Sequence, residues 1–442
     1  MVRSAVSDDR LLSYLHTIAK QNPYTVGLIL GQSSSGKDYV IHFAKTPPIQ
    51  SQDAKDPPRL TAINDIDEEW VADHARQATR TLPGGMYVLG IFIVSLEDAL
   101  NPFSPKIKGI LNCVHKHLES QKYLFGNTAS NEKLVLNYCL TTQQVTCKSF
   151  EVGVGSVKPA EFKFLASPIR WAQIHCKYQM DHVYHISDNE SDWPLKKHIG
   201  IILDIMNKNL KSSIYLFDGE LKDADESVES IGKKKISRNS KLSGHDDNFK
   251  PIHVCILQPC ESGDLNSFEI SDSGNQIRIF GNVVSKLWLN PKLSISGASE
   301  SVMQDILRSM STRLEMHWDS LTEEEHGEDM NSVHEPPRRV LINLPNSNIA
   351  ISDYLFPGEG PHDAKISLEE MLDIKINSEK DVVDAEGQAD LSDYYNEAAE
   401  TESEEMIPKK TLETTPSLYY IGAVLALFVL ILSLGLHFIQ GN

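Results

Sequence analysis

Residues 67–94 read DEEWVADHARQATRTLPGGMYVLGIFIV, an acidic turn, an amphipathic helix, a Pro-Gly-Gly stop and an apolar strand, and this order decides the fold class as α/β. Asp67, Glu68 and Glu69 put negative charge at the helix start, and Arg76 and Arg80 put positive charge further along, which complements the helix dipole. Trp70, His74 and Ala78 recur every four residues and share one face. Pro83-Gly84-Gly85 stops the helix, since proline removes a backbone donor and glycine tolerates the turn that follows. Met86 to Val94 is apolar almost without interruption, the pattern of a strand covered on both faces.

Outward from this core, TVGLIL (25–30) and DYVIHF (38–43) form a hairpin through GQSSSGK (31–37), and a Pro-rich polar loop follows at 47–60. Downstream, 101–121 gives a second amphipathic helix and 134–152 two more strands. These elements define a first α/β domain, residues 1–155. A second, β-rich α+β domain, residues 160–355, carries strand runs at 175–186, 213–219, 252–259 and 276–289. Its long helix runs from Glu300 to Leu321 with Val302, Ile306, Leu307, Met310, Leu314 and Trp318 on one side, and RRVLINLP and NIAISDYLF close it. The insert 232–248 has almost no apolar residues and is expected to be disordered.

Residues 356–416 read as an acidic disordered tether: 359–413 carry 17 acidic and 5 basic residues. Within it LEEMLDIKI (368–376) reads as a local helix, with a partner-docking motif as the alternative. Residues 417–439 read as a transmembrane helix. From Leu418 to Ile439 there is no formal charge, and at about 1.5 Å per residue the run spans the roughly 30 Å hydrocarbon core. Tyr419 and Tyr420 sit at the interface and Lys409 and Lys410 just outside it, which keeps that side cytosolic. The expectation is a tail-anchored, single-pass protein of the lipid bilayer with its N-terminal bulk in the cytosol.

Composition narrows the function. A net charge of −19 opposes nucleic-acid binding, which needs clustered Lys and Arg. Six cysteines at irregular spacing, with no C-x-x-C pair, read as reduced core thiols. Gly31 to Lys37 nearly spells a phosphate-cradling loop, but Asp38 replaces the Mg²⁺-binding hydroxyl and YVIHF follows where a helix N-terminus is required. His115 and His117 lie two apart in a helical pattern and point to different sides. Gly153 to Ser156 lacks the closing glycine of a nucleophile elbow. No catalytic, metal or cofactor-binding residue is expected, and the chain reads as a non-enzyme; the rival class is a membrane-tethered hydrolase, acting on protein or nucleotide.

The run 67–94, with VGLILGQSSSGKDYVIHFAKTPP (26–48) before it, closely resembles the odorant response abnormal protein four family, and the likeness continues through IYLFDGELKDAD, the helix VMQDILRSMSTRLEMHWDSL, PRRVLINLPNSNIAISDYLF and the terminal apolar segment. The resemblance implies an endoplasmic-reticulum membrane adaptor that assists trafficking of a subset of G-protein-coupled, odorant-type receptors and recruits the ubiquitin-fold-modifier-specific protease. It also implies that the first domain is metalloprotease-like (MPN-like). In active members of that fold one strand supplies two zinc-binding histidines. The matching run here, Leu89 to Ser95, puts Ile93 and Ser95 at the degenerate ligand positions, and neither can act as an imidazole donor. Trp70, His74, Pro83, Gly84 and Gly85 are the candidate motif residues, with Trp70 expected to pack helix on sheet.

Overall fold

The hairpin, helix and apolar strand fold as their patterns dictate, and the computed structural model describes residues 3–34, 36–49, 60–101, 104–125, 131–167, 169–232, 250–258, 273–323 and 334–387. The first part of the chain holds β1 (Arg3–Asp8), α1 (Arg10–Gln21), β2 (Thr25–Ser34), β3 (Lys37–Lys45), α2 (Glu68–Thr81), β4 (Tyr87–Ser95), α3 (Ser104–Glu119), α4 (Lys122–Phe125), β5 (Glu132–Cys139), β6 (Gln144–Glu151) and β7 (Val157–Leu165). Then come β8 (Ala172–Ser187), α5 (Leu195–Ser212), β9 (Ile214–Phe217), α6 (Val228–Gly232), β10 (Ile252–Leu257), β11 (Ser273–Leu289) and α7 (Ile295–Glu323). The last elements are β12 (Arg338–Asn343), β13 (Ala350–Leu355), α8 (Pro361–Leu372) and β14 (Val382–Asp384).

Strands β1 to β7 close into a barrel in the order β1-β3-β2-β4-β5-β6-β7, with β1 parallel to both β3 and β7. All seven strands contribute to one apolar cluster, including Ile29, Phe43, Phe92, Leu134 and Phe162, and α1 adds Leu15, Ile18 and Ala19 to it. A strand that pleats has two faces, and β4 buries both: Leu89, Phe92 and Val94 join this cluster, while Val88, Ile91 and Ile93 face a second one built with α2 and α3. The uninterrupted apolar run of the sequence is thereby explained. In the β2–β3 turn the loop that imitates a phosphate cradle is a hairpin turn with Gly36 at φ +81°, and Asp38 is buried in an ion pair with Arg3, 2.6 Å away.

The four-stranded sheet β11-β8-β10-β9 buries Ile174, Cys176 and Tyr178 of β8 in one cluster with α5 and α7. On α7, which is longer at both ends than the 300–321 expectation, Val302, Ile306, Leu307, Met310 and Leu314 are buried and Trp318 is half-buried. The three-stranded sheet β13-β12-β14 differs from its expected place. It packs with α8 into the α2–α3 side of the barrel, where Val340, Ile342, Ile351 and Leu368 share a cluster with Val71, Ala75 and Ile110.

The tether expectation for residues 356–416 is corrected at its start. Residues 361–372 form α8, and Leu368, Leu372, Ile374 and Ile376 are buried, so LEEMLDIKI is docked within the chain and is no free partner motif. Burial of four apolar side chains outweighs the acidic composition that suggested disorder; each is worth on the order of 2 kcal/mol. Glu386 is likewise inside, accepting from Arg313 at 2.6 Å and from the backbone N–H groups of Val284 and Arg339 at 3.0 Å each. The rest of the tether, the loop 233–248 and the transmembrane helix with Leu418, Tyr419, Tyr420 and Ile439 lie outside the described residues. Among the described residues no helix is long and apolar enough to cross a membrane.

A buried ion pair ties these layers together. Arg339 of β12 grips Asp305 of α7 through two bonds, 2.6 and 3.0 Å, with both side chains essentially inaccessible. Burial opposes the charge on each, but the partner wins and holds the Asp305 carboxyl below its ordinary value. Removing one member leaves the other charged and uncompensated. We therefore expect Asp305→Ala to lower unfolding free energy by about 3–5 kcal/mol, read from urea melts, and the double change Asp305→Ala with Arg339→Leu to recover part of the loss.

Candidate functional site

Asp67 caps α2 with its side chain, accepting from the N–H groups of Glu69 and Trp70, as its position before an apolar stripe requires. Trp70 is half-buried, and its indole N–H donates to the carbonyl of Pro47 at 2.7 Å, fixing the chain that leaves β3. His74, one turn on, is buried between two partners: Nε2–H donates to the Met371 carbonyl at 2.8 Å, and Nδ1 accepts from the Thr46 hydroxyl at 3.2 Å. His42 on β3 donates from Nε2 to the Leu372 carbonyl at 2.7 Å. Two imidazoles thus cap the C-terminal carbonyls of α8, the orphan acceptors of any helix end. A helix C-terminus favours a cation, yet burial pushes His74 down to about 4 and His42 below its ordinary value, so both cap as neutral donors.

Pro83, Gly84 and Gly85 do more than stop a helix. A Cβ on Gly84 would lie 2.1 Å from the Ser301 carbonyl of α7, and Gly85 has φ +79°, so only glycine lets the turn sit against that helix. The Gly84 N–H donates to Asp305 at 2.8 Å and the Gly85 N–H to the Gln304 side chain at 3.0 Å. Arg308, one turn further along α7, donates to the carbonyls of Leu82, Pro83 and Met86 at 2.9, 3.0 and 3.3 Å and to Leu124 at 2.9 Å. Its guanidinium serves the C-terminal ends of both α2 and α4, where positive charge is favourable. Gln32 completes the socket, donating to the Gly85 carbonyl at 3.2 Å and accepting from the Asn290 N–H at 2.7 Å. The helix-packing residues of the motif were legible; that its turn is a socket for a helix more than 200 positions away was not, because no local signal pairs Gly84 with Asp305.

At the degenerate ligand positions, the Ile93 side chain is fully buried in the α2–α3 cluster. Ser95 is buried with its Oγ 2.8 Å from Asn137 Oδ1 and 2.5 Å from the Glu97 carbonyl. Both positions are thus filled by contacts that stabilise the barrel. Among the described residues the five cysteines are free; Cys139 and Cys176 are buried as expected, Cys113 and Cys147 half-buried, and Cys255 is exposed, against the expectation of a core thiol.

Among the described residues, two groupings of chemical groups face solvent. An open cleft of about 1190 Å³ runs between α1, β3, the 169–171 link and the 343–350 loop. Its walls include Tyr39 and Trp171, edge-on at 6.1 Å, with Arg170, Lys286 and Lys375 around them and Asp8 and Asp373 opposing. The second is a trio, Glu69 of α2 with Cys113 and His117 of α3, whose ligand-capable atoms all lie within 4.8 Å of one another.

A mixed α/β scaffold whose motif residues serve as caps and sockets is the class that fold and site define. The chain belongs to the odorant response abnormal 4-like family, whose model matches residues 27–383. It is 27% identical to the protein odr-4 homolog of Mus musculus and 28% identical to that of Homo sapiens, each over 99% of both chains. Odorant response abnormal protein 4 of Caenorhabditis elegans is 21% identical over 87% of this chain and 79% of its own. Among solved structures, the crystal structure of UfSP from C. elegans overlays 84% of this chain on 57% of its own, with 8% identity and a TM-score of 0.44.

Two outcomes follow for the site. Gly84→Ala is expected to lower stability by about 1–3 kcal/mol or more through overpacking against Ser301, measured by thermal unfolding. His74 has its protonation suppressed in the folded state, its pKa falling from 6.5 to about 4. The unfolded chain therefore binds more protons between those values, and stability is full above the higher one and lost as pH falls toward the lower. From about pH 7.5 to about pH 5 the loss from this residue is about 2 kcal/mol. His74→Gln keeps an N–H donor but does not titrate, so its urea-melt stability should vary less over that interval by this amount.

Proposed function

We propose that the protein is a non-enzymatic adaptor, anchored in the endoplasmic-reticulum membrane by residues 417–439. It assists a subset of G-protein-coupled, odorant-type receptors to leave that membrane, and it recruits the ubiquitin-fold-modifier-specific protease. The observation that carries the reading is membership of the odorant response abnormal 4-like family across residues 27–383. The uncharged run from Leu418 to Ile439 supports the anchor. An MPN-like origin for the first domain accords with Ile93 and Ser95 standing where zinc-binding histidines would be, and their burial in packing and hydrogen bonds accords with a scaffold role. The motif residues Trp70, His74 and Pro83 to Gly85 hold the scaffold together, which leaves partner recognition to its surface.

Affinity purification from detergent-solubilised membranes, with partners identified by mass spectrometry, tests this. The full chain and a form ending at Ser417 are compared. The expected result is that both recover the protease, while only the full chain brings it, together with receptor, to the membrane fraction. Recovery of neither protease nor receptor with the full chain overturns the adaptor reading.

A further inference from the structure

From the trio on α2 and α3 we infer a zinc-binding site made by Glu69, Cys113 and His117. The sequence hides it, because Glu69 is 44 positions from Cys113 and the Cys-x₃-His spacing alone is common. On α3 that spacing of four aligns the thiol and the imidazole one turn apart on the same face. Gly109, one turn earlier, is on the same line. A Cβ there would come within 2.7 Å of the Glu68 carboxylate, which shows how closely this face of α3 lies to the first turn of α2. Glu68 is paired with Lys106 at 3.1 Å, and the adjacent Glu69 carboxylate turns to the other two, reaching His117 Nε2 at 2.7 Å.

The donor set is one thiol, one imidazole and one carboxylate, the three ligand types that zinc takes, and their mixture of soft and borderline donors disfavours magnesium or calcium. Around a tetrahedral zinc, ligand atoms stand roughly 3.3–3.8 Å apart. The ligand atoms of the trio already lie within 4.8 Å of one another, and the largely exposed Glu69 can make the small remaining adjustment. Three protein ligands leave the fourth position to water or to a side chain of a partner. Binding replaces the Cys113 proton, which is released to solvent, with Zn²⁺. Burial and the neighbouring carboxylates of Glu69 and Glu68 push this thiol up to about 11, because a thiolate beside them is repelled; a divalent cation reverses that balance. Half-buried placement keeps Cys113 and His117 reachable while shielding them from bulk competition.

The test uses the full chain in detergent micelles, with Zn²⁺ binding followed by competition against a chromophoric chelator and Co²⁺ as a spectroscopic stand-in. One zinc per chain is expected, together with a thiolate-to-cobalt charge-transfer band. Cys113→Ser should abolish the band, and Cys113→Ser and His117→Ala should each weaken zinc binding by about 100-fold or more, with Glu69→Gln losing less. Cys255→Ser, at the exposed cysteine, should leave both readouts unchanged. Should Cys113→Ser fold normally by circular dichroism yet bind zinc as the parent does, or should the parent bind none, the site is refuted. The adaptor reading is tested by partner recovery and stands or falls apart from this result.

Discussion

The buried pair of Arg339 and Asp305 is the contact on which the rest of the structure depends. Asp305 accepts both the Arg339 guanidinium and the Gly84 amide, so one carboxylate joins the C-terminal sheet, the long helix and the turn after α2. Such a group is costly to bury and tolerated when its lone pairs are used. Here the Arg339 guanidinium and the Gly84 amide converge on it from different elements. The long helix, the C-terminal sheet and the turn after α2 are registered by a single set of hydrogen bonds.

Arg308 extends the same logic with the opposite sign. Burial disfavours its charge, and the guanidinium is compensated by four carbonyls, with Asp305 and the Tyr87 ring nearby, and without a direct carboxylate partner. Carbonyl ends of α2 and α4 supply partial negative charge there. An arginine used this way is tied to geometry: its Nε reaches the Leu124 carbonyl while Nη1 reaches the turn carbonyls, a fork that the single ammonium of lysine lacks. The Pro-Gly-Gly turn is short and unbranched for the same reason, since any side chain would hold α7 away from the carbonyls Arg308 must touch.

What the sequence made legible were features with a local cause. Acids at 67–69 before an apolar stripe meant a helix start, Met86 to Val94 meant a doubly covered strand, and the Gly/Ser segment 31–37 meant a hairpin; each is realised. What escaped had a non-local cause. The barrel closes because β1 pairs with β7, a register that no period in Arg3 to Asp8 announces. Residues 356–387 looked like tether because their charges outnumber their apolar groups, yet Leu368, Leu372, Ile374 and Ile376 fall on one side once α8 and its extension dock on the barrel. The anchor expectation rests on an uncharged run of 22 residues, a signal that needs no tertiary context, and that run lies outside the described residues. The candidate site splits along the same line: Trp70 and His74 were found by helical spacing, whereas Glu69 with Cys113 and His117 depends on how two helices pack.

The last described residues are held as firmly as the elements before them. Glu386 is held by Arg313 on α7 and by backbone amides of β11 and β12, one residue before the last described position. α8 is gripped at its C-terminal carbonyls by His42 and His74, which stand on the barrel strand and helix that open the family motif. The last described turn of the chain is thus rooted on α7, β11 and β12, the same elements that carry the buried pair of Arg339 and Asp305.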